Sequence, residues 1–184
     1  MLSTITMRVC SRLLEESNRS LEIHVFDFDD TLVRTNSKIK VEHNDGEVTF
    51  LSPREYAKYR REPGDVFDYS EFEEVIEPEL VTSTFLRLKR AVKELGSDNV
   101  FILTARGNPE PVAEYLDSVG VSGVRVFAVG TSDPAAKANV IKDEVISKNI
   151  KRVYFYDDAM KNIEAVKKLR KILSGVSIIT MRMK

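Results

Sequence analysis

Several residue types that mark particular classes of protein are scarce or missing in this sequence. It contains no tryptophan, two histidines and one cysteine, Cys10. A single cysteine excludes a disulfide bond within the chain, so the composition is compatible with a reducing compartment, and we expect a cytoplasmic location. The histidines, His24 and His43, are not spaced as zinc ligands, and no zinc site is predicted.

The sequence also lacks a strong charge of either sign and a long apolar segment. Its 28 basic and 29 acidic residues give a formal net charge of -1, so no overall attraction to nucleic acid or to a membrane is expected. No apolar run approaches the ~20 residues needed to cross a bilayer, which predicts no membrane partner. Residues 1–20 include Glu15 and Glu16 and no cleavage-site pattern, so we expect a short helix there rather than a targeting peptide.

The overall composition and the length of the sequence are those of one globular domain. Hydrophobic residues make up 42% and charged residues 31% of the 184 residues, which is typical of folded rather than disordered chains. We therefore expect a single domain over residues 1–184.

Short apolar segments alternate along the chain with longer segments of helical period. The apolar segments are rich in β-branched and aromatic residues, which favour strands, and they lie at residues 22–26, 99–103, 124–129, 152–156 and 176–180. Helices are predicted between them at residues 81–95, 108–119, 133–145 and 160–173. This alternation predicts an α/β fold with a Rossmann-like, five-stranded parallel sheet and helices on both faces.

Residues 31–80 interrupt this alternation. The segments KIKV and EVTF flank Asn44-Asp45-Gly46, a strong hairpin turn signal, and a helix-like LSPREYAKYRR and an acidic YSEFEEVIEPE follow. We expect a small insertion of the kind that shapes access to a site. Four of its basic residues form either a solvated face or a surface for a polyanion. They are Arg54, Lys58, Arg60 and Arg61.

Polar side chains follow four of the predicted strands, at the edge where ligands bind in open α/β sheets. They are Asp27, Asp29 and Asp30 after the first strand, Thr104 and Arg106, on either side of Ala105, after the second, Lys137 in the helix after the third, and Asp157 and Asp158 after the fourth. Crowded carboxylates repel one another unless a cation neutralises them, and hard oxygen ligands select Mg²⁺. With its charge balanced, Asp27 can attack phosphorus, while Asp29 protonates the leaving oxygen and later activates water.

These segments resemble the signatures of the haloacid dehalogenase superfamily. HVFDFDDTLVRT is similar to its first signature, an apolar strand followed by DxDxT, and LTAR is similar to the second. Lys137 stands where the third-motif lysine would fall, and YFYDDAMKN resembles the fourth signature. The resemblance covers residues 22–180. It implies a flap hairpin and a small cap-like insertion within residues 31–80, and a Mg²⁺-dependent phosphatase that forms an aspartyl-phosphate intermediate.

The resemblance also implies roles for the acidic residues. Asp27 would be the nucleophile and a metal ligand, and Asp29 the acid/base, which binds the metal through its backbone carbonyl. Asp157 and Asp158 would complete the Mg²⁺ site. Asp158 is favoured as the direct ligand, because Asn162 follows four residues later as in the family's pattern.

Phosphate and substrate contacts are implied for the second and third motifs. Thr104 and Lys137 would bind the phosphoryl oxygens, and Ala105 and Arg106 would lie against the substrate. An exposed loop position is the alternative for Arg106. Lys142 is a second candidate for the lysine, but the first-turn position of Lys137 faces the strand ends more directly.

Other functions remain open at this point. Each motif alone has an ordinary explanation, since strand-end threonines form turns and paired aspartates cap helices. A phospho-receiver domain is disfavoured, because the third strand, VRVFAV, is followed by Gly130 and not by aspartate. A catalytically silent phosphate-binding or regulatory protein of the same fold is the main alternative.

The substrate is expected to be a phosphorylated small molecule, a nucleotide or a nucleic-acid end. The basic insertion and its small size favour the last two. No P-loop of the form GxxxxGK[ST] occurs in the sequence, which argues against a fused kinase. The sequence gives no indication of the oligomeric state.

Overall fold

The computed structural model describes residues 21–56 and 58–183. The short helix predicted within residues 1–20 lies outside the described residues, and so does Cys10.

Strands and helices alternate along most of the described chain. The strands are β1 (Glu22–Phe26), β2 (Val33–Arg34), β3 (Ile39–Glu42), β4 (Val48–Leu51), β5 (Val66–Asp68), β6 (Glu79–Leu80), β7 (Val100–Thr104), β8 (Arg125–Ala128), β9 (Arg152–Asp157) and β10 (Ser177–Arg182). The α-helices are α1 (Pro53–Tyr56), α2 (Thr82–Leu95), α3 (Glu110–Ser118), α4 (Pro134–Ser147) and α5 (Met160–Lys168). None of these helices, in the part of the chain that the structure describes, is both long and apolar enough to cross a membrane.

A five-stranded sheet lies at the centre of the fold. Its strand order is β10-β9-β1-β7-β8, and every neighbouring pair is parallel. The prediction of an α/β fold with a five-stranded parallel sheet is therefore confirmed. The chain adds β7 and β8 on one side of β1 and then crosses to add β9 and β10 on the other. The carboxyl ends of β1 and β9 thus meet where the strand order reverses, which is where ligands bind in such sheets.

Helices cover both faces of this sheet. Helices α4 and α5 pack on one face, against a cluster that includes Ile23 and Val25 of β1. Helices α2 and α3 pack on the other face, against a cluster that includes Phe26. Successive strand residues point to opposite faces, so a strand buried on both faces must be apolar throughout. The buried polar side chains Asp27, Thr104 and Asp157 stand at the carboxyl ends of such strands, where the candidate site lies.

The insertion, residues 31–80, forms two small antiparallel sheets, β2-β6 and β4-β3-β5. The predicted hairpin is confirmed: β3 and β4 pair around Asn44-Asp45-Gly46, and Gly46 has a φ of +86°, which glycine adopts without strain. The third strand, β5, was not predicted. It has only three residues and follows a turn at Pro63-Gly64, so its sequence carries little strand signal.

The helix-like segment of the insertion is a single turn, α1. Ser52 caps its amino end. The Ser52 hydroxyl donates to the Glu55 carboxylate at 2.6 Å, and the Ser52 N–H donates to the same carboxylate. Beyond it, the Tyr59 hydroxyl and the Glu62 N–H both donate to Asp65 at 2.8 Å. These bonds hold the chain in a turn, which is why the helical pattern of LSPREYAKYRR does not extend further.

Candidate active site

Two buried aspartates meet at the carboxyl ends of β1 and β9. Asp27 directly follows β1 and Asp157 ends β9, and the parallel register sets Phe26 opposite Tyr156. The Asp27 N–H donates to the Tyr156 carbonyl at 2.9 Å. Asp27 is 5% exposed and Asp157 is fully buried. The pairing of the two strands is thus what brings these carboxylates together.

Lys137 neutralises part of this negative charge. Its Nζ lies 2.6 Å from Asp27 Oδ1 and 3.0 Å from Asp157 Oδ2, and the residue is 3% exposed. The side chain projects from the first turn of α4, where Asp133 caps the helix by accepting the Ala135 N–H at 2.9 Å. The structure therefore places Lys137 at the site.

The alternative lysine, Lys142, lies elsewhere. Its Nζ contacts the Asn139 side chain at 3.3 Å on the surface of α4. Its ion-pair partner is Asp143 of the same helix, at 3.9 Å, and not the acidic cluster, as expected for a position more than one turn further along the helix.

Thr31 links the two acidic loops, although sequence reasoning assigned it no role. Its hydroxyl donates to Asp27 Oδ2 at 2.9 Å and accepts the Asp158 N–H at 3.0 Å. The residue is fully buried. The DxDxT spacing, in which Thr31 follows Asp27 by four residues, was the available signal.

Asp157 and Asp158 differ in how they are bound. Asp157 accepts bonds from Lys137, from the Ala159 N–H at 2.8 Å, and from Asn162 Nδ2 at 3.1 and 2.9 Å. Asp158 is half-buried, and no side-chain hydrogen bond of its carboxylate is among those described. Asn162 thus orients Asp157 rather than Asp158. The Asp158 carboxylate is the freer of the two to accept a further ligand.

The cluster carries more negative than positive charge. Burial raises the pKa of Asp27 well above its usual range, with Asp157 adding to the rise and Lys137 opposing it. Burial, then Asp157 and Asp30, raise the pKa of Asp158 to about 6. Burial disfavours the charge on Lys137, but the carboxylates of Asp27 and Asp157 outweigh it and raise its pKa. One ammonium therefore does not fully compensate the carboxylates.

The acidic cluster fits a divalent cation. Asp27, Asp157 and Asp158 each offer a carboxylate oxygen, and these oxygens lie within 4.8 Å of one another. Carboxylate oxygens are the ligands that Mg²⁺ and Ca²⁺ prefer, and the excess negative charge would favour ion binding. The side chain of Asp29 is not part of this group. The expectation that Asp29 contributes through its backbone carbonyl stays a prediction.

Asp29 is instead paired with Arg106. The guanidinium donates from Nε to Asp29 Oδ2 at 3.0 Å and from Nη2 to Asp29 Oδ1 at 2.8 Å. Its Nη1 donates to the carbonyls of Phe72 and Glu74, at 3.0 and 2.6 Å. The alternative that Arg106 is an exposed loop residue is wrong, because only 1% of its side chain is exposed. The two partners are 77 residues apart in the sequence, so no local sequence pattern predicts the pair.

Thr104 and Ala105 lie beside this pair, at the end of β7. Thr104 is fully buried, and its hydroxyl accepts the Arg106 N–H at 3.2 Å. Ala105 is exposed. The predictions that Thr104 binds phosphate and that Ala105 and Arg106 contact the substrate stay predictions.

A cleft of about 210 Å³ opens between the loop after β1 and the insertion. Its lining residues are Asp29, Asp30, Thr35, Ser52, Pro53 and Arg54. Of the basic residues Arg54, Lys58, Arg60 and Arg61, Arg54 is the one among these lining residues. Arg61 lies over the ring of Phe67, at 4.6 Å from its centre, and Lys58 and Arg60 are exposed.

Comparisons of the chain with family models, with curated proteins and with solved structures gave no match. The chemistry of the site follows from its own side chains. A buried carboxylate oriented by two hydrogen bonds, a buried ammonium and a carboxylate triad sized for a cation suit the binding of an anionic, oxygen-rich ligand such as phosphate.

A divalent cation held by the three carboxylates would bind in a pH-dependent way, because Asp158 is one of them. Its pKa of about 6 lies above that of an unfolded aspartate, so a proton competes with the metal. We expect Mg²⁺ affinity, measured by titration calorimetry, to fall about tenfold for each pH unit below pH ~6. Without metal, the raised pKa means that the folded chain binds the proton more tightly, so stability should fall as pH rises from about 4 to about 6.

Asp158→Asn is the control for this prediction. It should weaken Mg²⁺ binding at neutral pH and flatten both pH dependences. An affinity that is unchanged between about pH 5 and about pH 7 in the unmodified protein would show that Asp158 is not a ligand.

Proposed function

We propose that this protein is a Mg²⁺-dependent phosphatase that hydrolyses phosphomonoesters through a phosphorylated Asp27, as the resemblance to haloacid dehalogenase-type phosphatases implies. The observation that supports it is the buried Asp27 carboxylate, held by Lys137 on one oxygen and by Thr31 on the other, within 4.8 Å of the oxygens of Asp157 and Asp158.

In the first step, Asp27 attacks the phosphorus of the bound ester. One carboxylate oxygen forms a bond to phosphorus, the bond from phosphorus to the ester oxygen breaks, and a proton from the Asp29 carboxyl passes to that leaving oxygen. When bound by the carboxylates of Asp27, Asp157 and Asp158, Mg²⁺ would neutralise charge on Asp27 and on the phosphoryl oxygens. Thr31 and Lys137 fix the orientation of the attacking group.

In the second step, water hydrolyses the phosphorylated Asp27. The water oxygen bonds to phosphorus, its proton passes to the Asp29 carboxylate, and the bond between phosphorus and the Asp27 oxygen breaks. Inorganic phosphate leaves and the Asp27 carboxylate is restored. Lys137 has three N–H donors. Two of them donate to Asp27 and Asp157, so the third is available for a phosphoryl oxygen.

Turnover of a panel of phosphates, with Mg²⁺ and with EDTA, tests the proposal. The panel holds p-nitrophenyl phosphate, nucleoside monophosphates, sugar phosphates and oligonucleotides with 3′- or 5′-phosphates. We expect release of inorganic phosphate that depends on Mg²⁺. Turnover that is equal in EDTA would contradict the role of the metal.

A catalytically silent, phosphate-binding protein is the second candidate. The observation that favours it is the pairing of both Asp29 oxygens with Arg106, which leaves the expected acid/base outside the acidic cluster. A silent protein would bind Mg²⁺ and inorganic phosphate but release no phosphate from any member of the panel. Mg²⁺-dependent turnover would exclude this candidate.

Arg54 gives a test of the predicted substrate class. Because it lines the cleft beside Asp29, it should contact a leaving group that carries further phosphates, as a phosphorylated oligonucleotide does. We expect Arg54→Ala to lower kcat/KM for such an oligonucleotide by about tenfold and to reduce its salt dependence. Turnover of p-nitrophenyl phosphate should change little.

Arg60→Ala is the matched control, since Arg60 is exposed and is not among the residues that line the cleft. Equal effects of the two substitutions on the oligonucleotide would mean that the insertion attracts it only through general charge.

A further inference from the structure

The side chain of Arg106 joins three parts of the molecule through one buried guanidinium. All of its nitrogens are used: two bind Asp29, and the third binds the carbonyls of Phe72 and Glu74 in the insertion. The rings of Phe28 and Phe72 lie 5.4 and 5.2 Å from it. The guanidinium is therefore fixed both by hydrogen bonds and by aromatic contacts.

The backbone of Arg106 is fixed as well. Its N–H donates to the Thr104 hydroxyl, and its carbonyl accepts the Gly130 N–H at 2.9 Å. These bonds tie it to the ends of β7 and β8, at the edge of the sheet where Asp27 lies. Arg106 is thus a rigid point between the sheet and the insertion.

A buried ion pair is a costly way to hold an insertion in place. Removing a guanidinium from water is unfavourable, and apolar side chains of similar volume often stabilise a fold as well or better. The partner of Arg106 is, moreover, a partly exposed carboxylate that lines the cleft. A role limited to packing would not require Asp29 to face the cleft.

We infer that Arg106 is a positioning residue. It sets the orientation of the Asp29 carboxylate and couples that orientation to the position of the insertion. The inference rests on the proposed function of Asp29 as acid and base. A carboxylate that accepts bonds on both oxygens from one guanidinium has no proton to give. One oxygen must therefore leave Arg106 and take up a proton from solvent water, and Asp29 then passes that proton to the leaving oxygen. Arg106 keeps its bonds to Phe72 and Glu74 meanwhile, and Asp29 returns to it as the carboxylate.

The test compares substrates that differ in their need for an acid. The p-nitrophenolate leaving group departs without a proton, whereas an alkoxide needs one, and general acid catalysis contributes about 10²–10⁴-fold. Arg106→Lys keeps the charge but cannot reach Asp29 and both carbonyls together. We expect kcat/KM, which reports the steps up to departure of the leaving group and not the later attack of water, to fall at least about tenfold more on an alkyl phosphate than on p-nitrophenyl phosphate.

Two further variants separate positioning from general damage to the fold. Asp29→Asn removes the acid. In that variant, adding Arg106→Lys should lower turnover of the alkyl phosphate little further, because the effects of two residues that act as a unit are not additive. Arg125→Lys alters another bidentate pair, which Arg125 forms with Glu144. The Arg125 guanidinium also lies over an aromatic ring, but Arg125 begins its strand and so stands at the end of the sheet opposite to the candidate site. This substitution should lower turnover of both substrates equally, if at all.

Amide hydrogen exchange gives a readout that does not depend on activity. If Asp29 and the insertion are coupled through Arg106, Asp29→Asn should speed exchange in residues 70–76, and this holds even if Arg106→Lys fails to fold. Unchanged exchange there, or an equal loss of kcat/KM on both substrates in Arg106→Lys, would overturn the inference while leaving Asp27 as the nucleophile. Absence of turnover in the unmodified protein would overturn the proposed function, and the inference with it.

Discussion

Asp27→Asn is expected to reduce Mg²⁺-dependent turnover of p-nitrophenyl phosphate by at least about 10³-fold, because loss of a nucleophile removes the step on which the reaction depends. An amide at this position can still accept a bond from Lys137, but it cannot displace the ester oxygen from phosphorus. Steady-state kinetics at saturating substrate would measure the effect on kcat directly.

The same substitution should leave the protein folded. It replaces a buried carboxylate, whose pKa burial raises well above its usual range, with a neutral group of the same shape. The free energy of unfolding should therefore be unchanged or higher, since a repulsive charge is lost. Asp143→Asn, on the exposed surface of α4, is the matched control and should retain full activity. Wild-type turnover in Asp27→Asn would contradict the proposed mechanism.

The largest effect on stability is expected at Lys137. Lys137→Met leaves the buried carboxylates of Asp27 and Asp157 without their counter-charge, and removing one partner of a buried ion pair typically costs about 3–5 kcal/mol. For a chain of this size the loss corresponds to a fall in Tm of about 6–20 °C. Denaturant unfolding at neutral pH in EDTA would measure it.

Two further outcomes identify charge as the cause. Mg²⁺ should recover part of the lost stability, because the ion would bind the same carboxylates. Lower pH should also recover part of it, since carboxyls with raised pKa take up protons in the folded chain and stability then increases as pH falls. Lys142→Met, one turn further along α4 and partly exposed, should change stability by less than about 0.5 kcal/mol. Equal stability of the two variants in EDTA would refute the account of the cluster.

The acidic cluster could be predicted from the sequence because it depends on regular structure. Parallel strands share one edge, so Asp27 and Asp157 could be expected to meet once β1 and β9 were recognised. Lys137 could be expected there as well, because the Asp133-Pro134 pair marks the start of α4 and thereby the first turn. These inferences used the period of the elements and their caps, not the details of packing.

The surroundings of Asp29 could not be predicted in the same way. The guanidinium of its partner Arg106 also binds the carbonyls of Phe72 and Glu74, and such irregular segments have no period from which to infer a path. Arg106 and Asp29 could each be interpreted as a site residue, but the bidentate geometry of their pair and its link to the insertion depend on side-chain packing. The short strand β5 was missed for a related reason, since it forms by pairing with β3.

The role of Asp27 as the nucleophile is tested most directly by trapping the covalent intermediate. Asp29→Asn should slow the attack of water, so phosphorylated protein should accumulate when this variant is mixed with Mg²⁺ and p-nitrophenyl phosphate and then quenched in acid. Mass spectrometry of the digested protein should find one added phosphoryl group on the peptide that contains Asp27, and none in Asp27→Asn. Rapid turnover by the unmodified protein, with no phosphorylated peptide at any time in either protein, would contradict the account.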